Sequence, residues 1–186
     1  MHIRFVRTTA LAAFAVASCL GSALAAQTGN AEWITPVVKD FGRIHPLPDA
    51  KLQPEKGETY KVVFDITSAK ETDGVNAALW HVARAVNLFG NAGVDGDHRK
   101  FVAVIHGPAT PLVMSAAAFR EKEGKENPDL KLIHALKEAG VTLYVCGQAA
   151  ADNKIAEDDI NPEITFTLSA LTDLAILQKQ GYVLLP

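Results

Sequence analysis

The sequence predicts an α/β fold, a three-layer α/β/α domain around a mainly parallel sheet of about five strands. Short apolar runs rich in β-branched residues alternate along the chain with amphipathic helical segments. The first four runs lack the alternation of polar and apolar residues that a solvated face would produce, so we expect both faces of the sheet to be covered. An apolar content of 48% is enough to fill the core of such a domain.

Residues 1–25 have the features of a secretory signal peptide. Two arginines precede the apolar, alanine-rich run of residues 8–25, whose final ALA suits cleavage after Ala25. The run is at the short end of what crosses a bilayer, which disfavours a membrane anchor. The alternative is a lipoprotein, because VASC resembles a bacterial lipobox that would place a lipid, and hence a membrane attachment, on Cys19. Both interpretations predict export to a bacterial periplasm.

Residues 26–56 form an irregular N-terminal extension in this interpretation, because they contain four prolines and only scattered apolar residues. Those apolar side chains could pack on their own domain or on another subunit, and the first alternative is favoured. The residues concerned are Trp33, Ile34, Val37, Val38 and Phe41.

The α/β domain is predicted over residues 57–186 and begins with a buried strand at residues 61–67. Asp73 is the predicted N-cap of a helix whose apolar residues recur at helical spacing until Gly90. A turn-rich loop then leads to a second buried strand at residues 101–107. These elements give one strand–helix–strand unit, the usual connection between parallel strands.

Two helices and the third strand follow. One helix is expected from near Pro111 to near Gly124, and the next has Asn127 as its N-cap and Gly140 just after its end. The third strand, residues 141–146, ends in a cysteine and runs into a short alanine-rich helix.

The last elements are a strand at residues 163–168, a helix ended by Gly181, and a short strand at residues 182–186. The order of the strands within the sheet does not follow from the sequence.

Charge and motifs exclude several function classes. The formal net charge of −3 gives no basic surface for nucleic acid, and neither a glycine-rich phosphate loop nor a serine-hydrolase elbow is present in the sequence. Cys146 and His106 could share a metal ion, but two ligands without a third do not make a site. We therefore expect no metal and no cofactor.

Ligands of open parallel sheets bind at the carboxyl ends of the strands. We therefore expect candidate site residues where the first three strands end. They are Asp65 on the first strand, His106 and Gly107 on the second, and Cys146, Gly147 and Gln148 on the third.

Cys146 is the central candidate. If cleavage follows Ala25, it is the only thiol of the exported chain, which then has no intrachain disulfide. A helix start stabilises an anion such as a thiolate, the nucleophilic form of cysteine, and Gly147 would leave space for a reacting group. The alternative is a small buried core residue. His106 would donate a proton or contact an anion near the thiol, or else bond a loop carbonyl.

Residues 140–160 resemble the cysteine segment of the DsrE/DsrF-like family, which has the YchN-type fold. Residues 104–113 (VIHGPATPLV) and 177–186 (LQKQGYVLLP) look like an exported branch of that family. The resemblance covers residues 61–186 and implies a flavodoxin-like general architecture and assembly as trimers or hexamers. In sulfur-relay members the matching cysteine carries a persulfide between partner proteins, and here that cysteine is Cys146.

One departure from the relay members concerns charge. Basic residues follow their cysteine helix, whereas here the corresponding ADNKI contains only Lys154. Two hypotheses remain. In the first, a periplasmic protein accepts sulfane sulfur on Cys146 and passes it between a donor and an acceptor, either a protein or a small sulfur compound. In the second, a non-catalytic periplasmic module binds a small ligand or assembles as an oligomer, and Cys146 only lines its floor.

Overall fold

The computed structural model describes residue 2 and residues 32–186. The predicted signal peptide, including Cys19 and the cleavage site after Ala25, lies outside the described residues except for His2. Within the described part of the chain, no helix combines the length and the apolar character needed to span a bilayer.

A sheet of five parallel strands forms the centre of the domain, as the sequence predicts. Its strands occur in the order β6-β5-β4-β1-β7, and a short antiparallel hairpin, β2-β3, stands apart from it. The seven strands in chain order are β1 (Tyr60–Ile66), β2 (Glu71–Thr72), β3 (Val75–Asn76), β4 (Arg99–Ile105), β5 (Thr142–Cys146), β6 (Thr165–Thr167) and β7 (Val183–Leu185).

In the described part of the chain, five α-helices cover the two faces of this sheet, which completes the predicted three layers. Right-handed crossovers explain their distribution: the chain steps from β1 to β6 in one direction and then returns past β1 to β7. The first four helices therefore lie on one face and the fifth on the other. The helices are α1 (Ala77–Asn91), α2 (Ala116–Glu123), α3 (Leu130–Glu138), α4 (Gly147–Asp152) and α5 (Ala170–Lys179).

The strand order differs from that of flavodoxin-like sheets. Counted within the main sheet alone, the order is 4-3-2-1-5, whereas flavodoxin-like sheets have 2-1-3-4-5. The layered architecture expected from the resemblance is present, and the connectivity is different.

The core is unequally divided between the two faces. The larger cluster includes Phe64 and Phe101 of the sheet together with apolar side chains of α1, α2 and α3. The smaller cluster has six buried residues, among them Val63 and Cys146, and is covered by α5 through Ala170 and Leu177.

The predicted N-cap of α1 is wrong. Asp73 and Gly74 both have positive φ, 53° and 79°, and form the turn between β2 and β3. Asn76 is the N-cap instead, because its Oδ1 accepts hydrogen bonds from the backbone N–H groups of Ala78 and Leu79.

Gly90 does not end α1, which continues to Asn91. A Cβ on Gly90 would lie 2.3 Å from Cγ2 of Val37 in the N-terminal extension. The glycine is needed for this close approach, not as a helix stop.

The helix predicted from Pro111 is also wrong at its beginning. Residues 107–113 form a 3₁₀ helix, and α2 begins only after Ser115, whose Oγ accepts a hydrogen bond from the N–H of Ala118. The helix does end at Gly124, which has a φ of 68°.

Asn127 is not the N-cap of α3. Its amide group donates to the carbonyl oxygens of Leu112 and Met114 and so ties this loop to the end of the 3₁₀ helix. Its Oδ1 accepts from the N–H of Asp129, and α3 begins one residue later. Gly140 lies just beyond α3 with a φ of 85°, as predicted.

The fourth predicted strand is shorter than expected. β6 contains only Thr165–Thr167 and is an edge strand, so Thr165 and Phe166 are exposed. The last strand, β7, forms the opposite edge, and all three of its residues are exposed.

The extension packs on its own domain from residue 32 onward. Ile34 and Ile44 bridge each other, and Val38 and Ile44 are buried. Asn87 of α1 is fully buried and holds this segment: its Oδ1 accepts from the N–H groups of Val37 and Val38, and its amide donates to nearby carbonyls.

Candidate functional site

Asp65, His106 and Cys146 lie at the same carboxyl edge and on the same face of the sheet. Cys146 packs in the smaller cluster with Val104 and Val63. His106 is two residues beyond Val104, and Asp65 is two beyond Val63. Side chains alternate between faces along a strand, so all three candidates belong to the face that α5 covers.

Cys146 ends β5 and is the N-cap of α4. Its Sγ accepts a hydrogen bond from the backbone N–H of Ala149 at 3.4 Å, and its thiol lies 3.9 Å from Oγ of Ser169. An N–H group directed at sulfur stabilises its anionic form. The residue is only 5% exposed, so the loop before α5 covers most of the thiol.

The start of α5 meets the thiol from the other side. Ser169 is the N-cap of α5, and its Oγ accepts from the N–H of Leu171 at 3.3 Å. Thr167 pairs with Cys146 in the β5–β6 register, and its Oγ1 lies 2.5 Å from Oδ2 of Asp173. Sequence reasoning missed these three residues. A serine just before an apolar periodic run is an N-cap signal, but only the strand order brings it to Cys146.

Gly147 does not leave space for a reacting group, contrary to expectation. A Cβ at this position would lie 2.6 Å from the carbonyl oxygen of Thr167 and 2.8 Å from Cζ of Phe166. The glycine is therefore the point of closest approach between the start of α4 and β6.

His106 forms a short hydrogen bond with Asp65, at 2.6 Å between Nε2 and Oδ1. Its backbone N–H donates to the carbonyl oxygen of Ile66, which keeps it aligned with the end of β1. The imidazole thus bonds a carboxylate and not the loop carbonyl considered from the sequence. The two side chains are 26% and 29% exposed, so water reaches the pair. Gly107 follows with a φ of 56° and turns the chain into the 3₁₀ helix.

Gln148 is exposed on the first turn of α4, and its Nε2 lies 3.4 Å from the carbonyl oxygen of Leu168. It faces the loop between β6 and α5 and not the Asp65–His106 pair. The candidates thus form two neighbouring groups, Cys146 with Ser169 and His106 with Asp65.

The surface beside the thiol is apolar, and metal ligands are not gathered there. Phe166, Leu168 and Leu171 are exposed at 39%, 69% and 84%, and they precede or begin α5. Across residues 32–186, no three His, Cys, Asp or Glu side chains are grouped in a way that would hold a metal ion.

Comparison with known proteins gives one family, and five chains of solved structures match. A family model described as the DsrE/DsrF-like family matches residues 61–186. A protein of unknown function from Methanobacterium thermoautotrophicum, MTH1491, is similar at 16% identity and a TM-score of 0.48, over 68% of this chain and 97% of that chain. A search of curated proteins found no match.

Proposed function

The chain belongs to the DsrE/DsrF-like family, and on that premise we propose that it carries sulfane sulfur as a persulfide on Cys146. In the loading step, the Cys146 thiol and a hydropersulfide donor R–S–SH give Cys146–S–SH and R–SH. A sulfur–sulfur bond breaks in the donor and another forms at Cys146, so no external oxidant is needed.

The observation that supports this proposal best is the hydrogen bond from the N–H of Ala149 to Sγ of Cys146. A donor already directed at the sulfur favours the thiolate that attacks and the anion that remains after transfer. The outer sulfur of a persulfide lies about 2 Å beyond Sγ. It would extend toward the loop that carries Ser169, where the exposed Phe166 and Leu168 offer an apolar contact for a donor or acceptor protein.

We also propose that the protein works in the periplasm. The support is the sequence of residues 1–25, with its two arginines, its apolar run and the small residues before Ala26. The sulfur donor and acceptor would then be periplasmic proteins or small sulfur compounds.

Sulfur loading tests the function directly. Purified protein beginning at Ala26 is incubated with inorganic polysulfide, and its intact mass is measured. We expect one additional sulfur atom on the native protein, none on a Cys146→Ala variant, and removal of the sulfur by a thiol reductant. The proposal would be contradicted if the native protein gained no sulfur after incubation with polysulfide. Equal loading of native and denatured protein would also contradict it.

A second candidate function is favoured by one observation, the burial of Cys146 at 5% exposure. In that case the protein is a non-catalytic module whose sheet edge binds a small ligand or a partner. Alkylation with iodoacetamide separates the two candidates. Slow alkylation of the native protein even at alkaline pH supports the binding module, and rapid alkylation near neutral pH supports sulfur transfer.

We propose further that the chain assembles as a homo-oligomer, a trimer or a hexamer as in the family it belongs to. The support is the apolar surface on the α5 side of the sheet. Its exposed members are Leu168, Leu171, Ile176 and Leu184, the last of which pairs with Val63 of the smaller cluster.

A further inference from the structure

Three neighbouring strands bring a carboxylate, an imidazole and a thiol to the carboxyl end of the sheet. The order β5-β4-β1 puts Cys146, His106 and Asp65 on adjacent strands at the same edge. Ile105 pairs with both Ile66 and Val145, so His106 is one residue beyond the last pair on each side. Neighbouring strands are about 5 Å apart, so His106 and Cys146 are lateral neighbours. Sγ of Cys146 contacts Ala149 and Ser169 and not the imidazole, so a proton would pass between the two side chains through a water molecule.

Asp65 fixes the orientation and the tautomer of this imidazole. A carboxylate oxygen accepts hydrogen bonds, so the 2.6 Å contact assigns the proton of the neutral ring to Nε2. The basic nitrogen is then Nδ1, and within residues 32–186 no side chain or backbone group hydrogen-bonds to it. An activated nucleophile generally lies beside a base, and a third group orients that base.

We propose that His106, positioned by Asp65, accepts the proton of the Cys146 thiol and then donates it to the leaving thiolate of the sulfur donor. This inference rests on the proposed sulfur transfer. Proton transfer to Nδ1 gives the Cys146 thiolate and an imidazolium. The thiolate attacks the outer sulfur of R–S–SH, the donor's sulfur–sulfur bond breaks, and the imidazolium protonates the departing R–S⁻ to R–SH.

The same transfer supplies a positive charge beside the sulfur. Lys154 is the only basic residue in the segment that directly follows the thiol, residues 147–155. The imidazolium on the adjacent strand provides positive charge near the sulfur while the sulfur is anionic. The other titratable groups on this side of the edge are Tyr144 of β5, which packs against the smaller cluster, and Asp173 at the start of α5.

The experiment compares wild-type protein with His106→Gln, Asp65→Asn and a matched control, His134→Gln. His134 also pairs with a carboxylate, at 2.8 Å from Glu163, but it lies on α3. For each variant the rate of iodoacetamide alkylation and the rate of polysulfide loading are measured from pH 5 to pH 9. Circular dichroism establishes that each variant is folded.

We expect loading at neutral pH to fall about 100-fold in His106→Gln, the usual contribution of a general base. The alkylation rate at neutral pH should fall in the same variant, because the thiol would lose its proton acceptor. Asp65→Asn should change the rates of sulfur loading and of alkylation in the same direction. If His106→Gln does not fold, Asp65→Asn alone tests the role of His106. His134→Gln should match the wild type.

Wild-type profiles in both His106→Gln and Asp65→Asn would overturn the inference. If wild-type protein takes up no sulfur at any pH, the proposed function fails, and the alkylation profiles still decide whether His106 exchanges the thiol proton.

Discussion

Gly147 shows how tightly a single residue controls the surroundings of the thiol. It stands directly after Cys146, and its missing side chain lets the carbonyl oxygen of Thr167 approach the start of α4. Phe166 fills the remaining space at this position. The covering of Cys146 by β6 and the following loop therefore depends on this glycine.

We expect Gly147→Ala to displace β6 and to uncover the thiol. Its Cβ would lie 2.6 Å from the backbone oxygen of Thr167, which is too close for any side chain to adjust. Overpacking of this kind lowers the free energy of unfolding by about 1–3 kcal/mol. Urea unfolding and the alkylation rate of Cys146 measure the two effects.

The control is Gly96→Ala, since a Cβ there would meet nothing closer than 3.9 Å. A Gly147→Ala protein with wild-type stability and wild-type alkylation would show that β6 does not cover the thiol.

The strand-end rule finds Asp65, His106 and Cys146 from the sequence because each directly follows or ends an apolar run. Applied to the strand predicted at residues 163–168, the same rule selects Ser169, which follows it directly, but it does not select Asp173. Both belong to a segment whose place beside β5 is set by strand pairing between distant parts of the chain.

Among the secondary structure elements, the starts of α1 and α3 are joined by one buried hydrogen bond. The backbone N–H of Asn76 donates to Oδ1 of Asp129 at 2.6 Å, and both residues are buried. Burial raises the pKa of the Asp129 carboxyl above its ordinary value of 3.8, the charge of Glu71 raises it further, and the hydrogen bond from Asn76 opposes the rise.

We predict that this carboxyl makes the fold less stable as the pH rises. Because the folded-state pKa is the higher one, the native protein binds more protons than the unfolded chain from pH 3.8 up to that raised pKa. The Asp129 contribution to the free energy of unfolding is therefore largest at acid pH and is lost through this window.

Asp129→Asn keeps an oxygen acceptor for Asn76 and removes the buried charge. Its free energy of unfolding relative to wild type should increase from pH 3 to pH 7, as measured by denaturant titration. The exposed Asp97→Asn is the control. A difference between Asp129→Asn and wild type that stays constant with pH would contradict the assignment.

The ends of helices could be predicted where a glycine determines them, and the starts of α1, α2 and α3 could not. Gly124 and Gly140 end their helices through positive φ. The start of α3 was missed because Asn127 acts through the distant carbonyl oxygens of residues 112 and 114. The start of α1 was missed because Asp73 and Asn76 both precede the apolar pattern, and only Asn76 accepts from the first N–H groups of the helix. Local patterns could not distinguish these from neighbouring polar residues.

The whole molecule has one well-covered face and one sparsely covered face. Among residues 32–186, four helices pack on the first face and only α5 packs on the second, because the last crossover runs opposite to the others. The alternation of strands and helices predicts the parallel sheet, but strand order depends on pairing between segments far apart. The unequal faces therefore could not be predicted.

We expect this second face to form contacts between copies of the chain. Wild-type protein should have the mass of a trimer or a hexamer by light scattering. Leu171→Glu, on the exposed side of α5, should reduce that mass because a buried charge would oppose association. Leu52→Glu is the control, since Leu52 is fully exposed on the extension. A monomeric wild type, or an equal loss in both variants, would contradict the proposed interface.

The most direct test of the central claim is an intact-mass spectrum of the protein isolated without reductant from cells that produce it naturally. The account predicts a chain that begins at Ala26 and a fraction of molecules with one additional sulfur atom, located at Cys146 by peptide analysis and absent from Cys146→Ala. A chain whose Cys146 is uniformly a free thiol, even after growth with a sulfane-sulfur source, would contradict it.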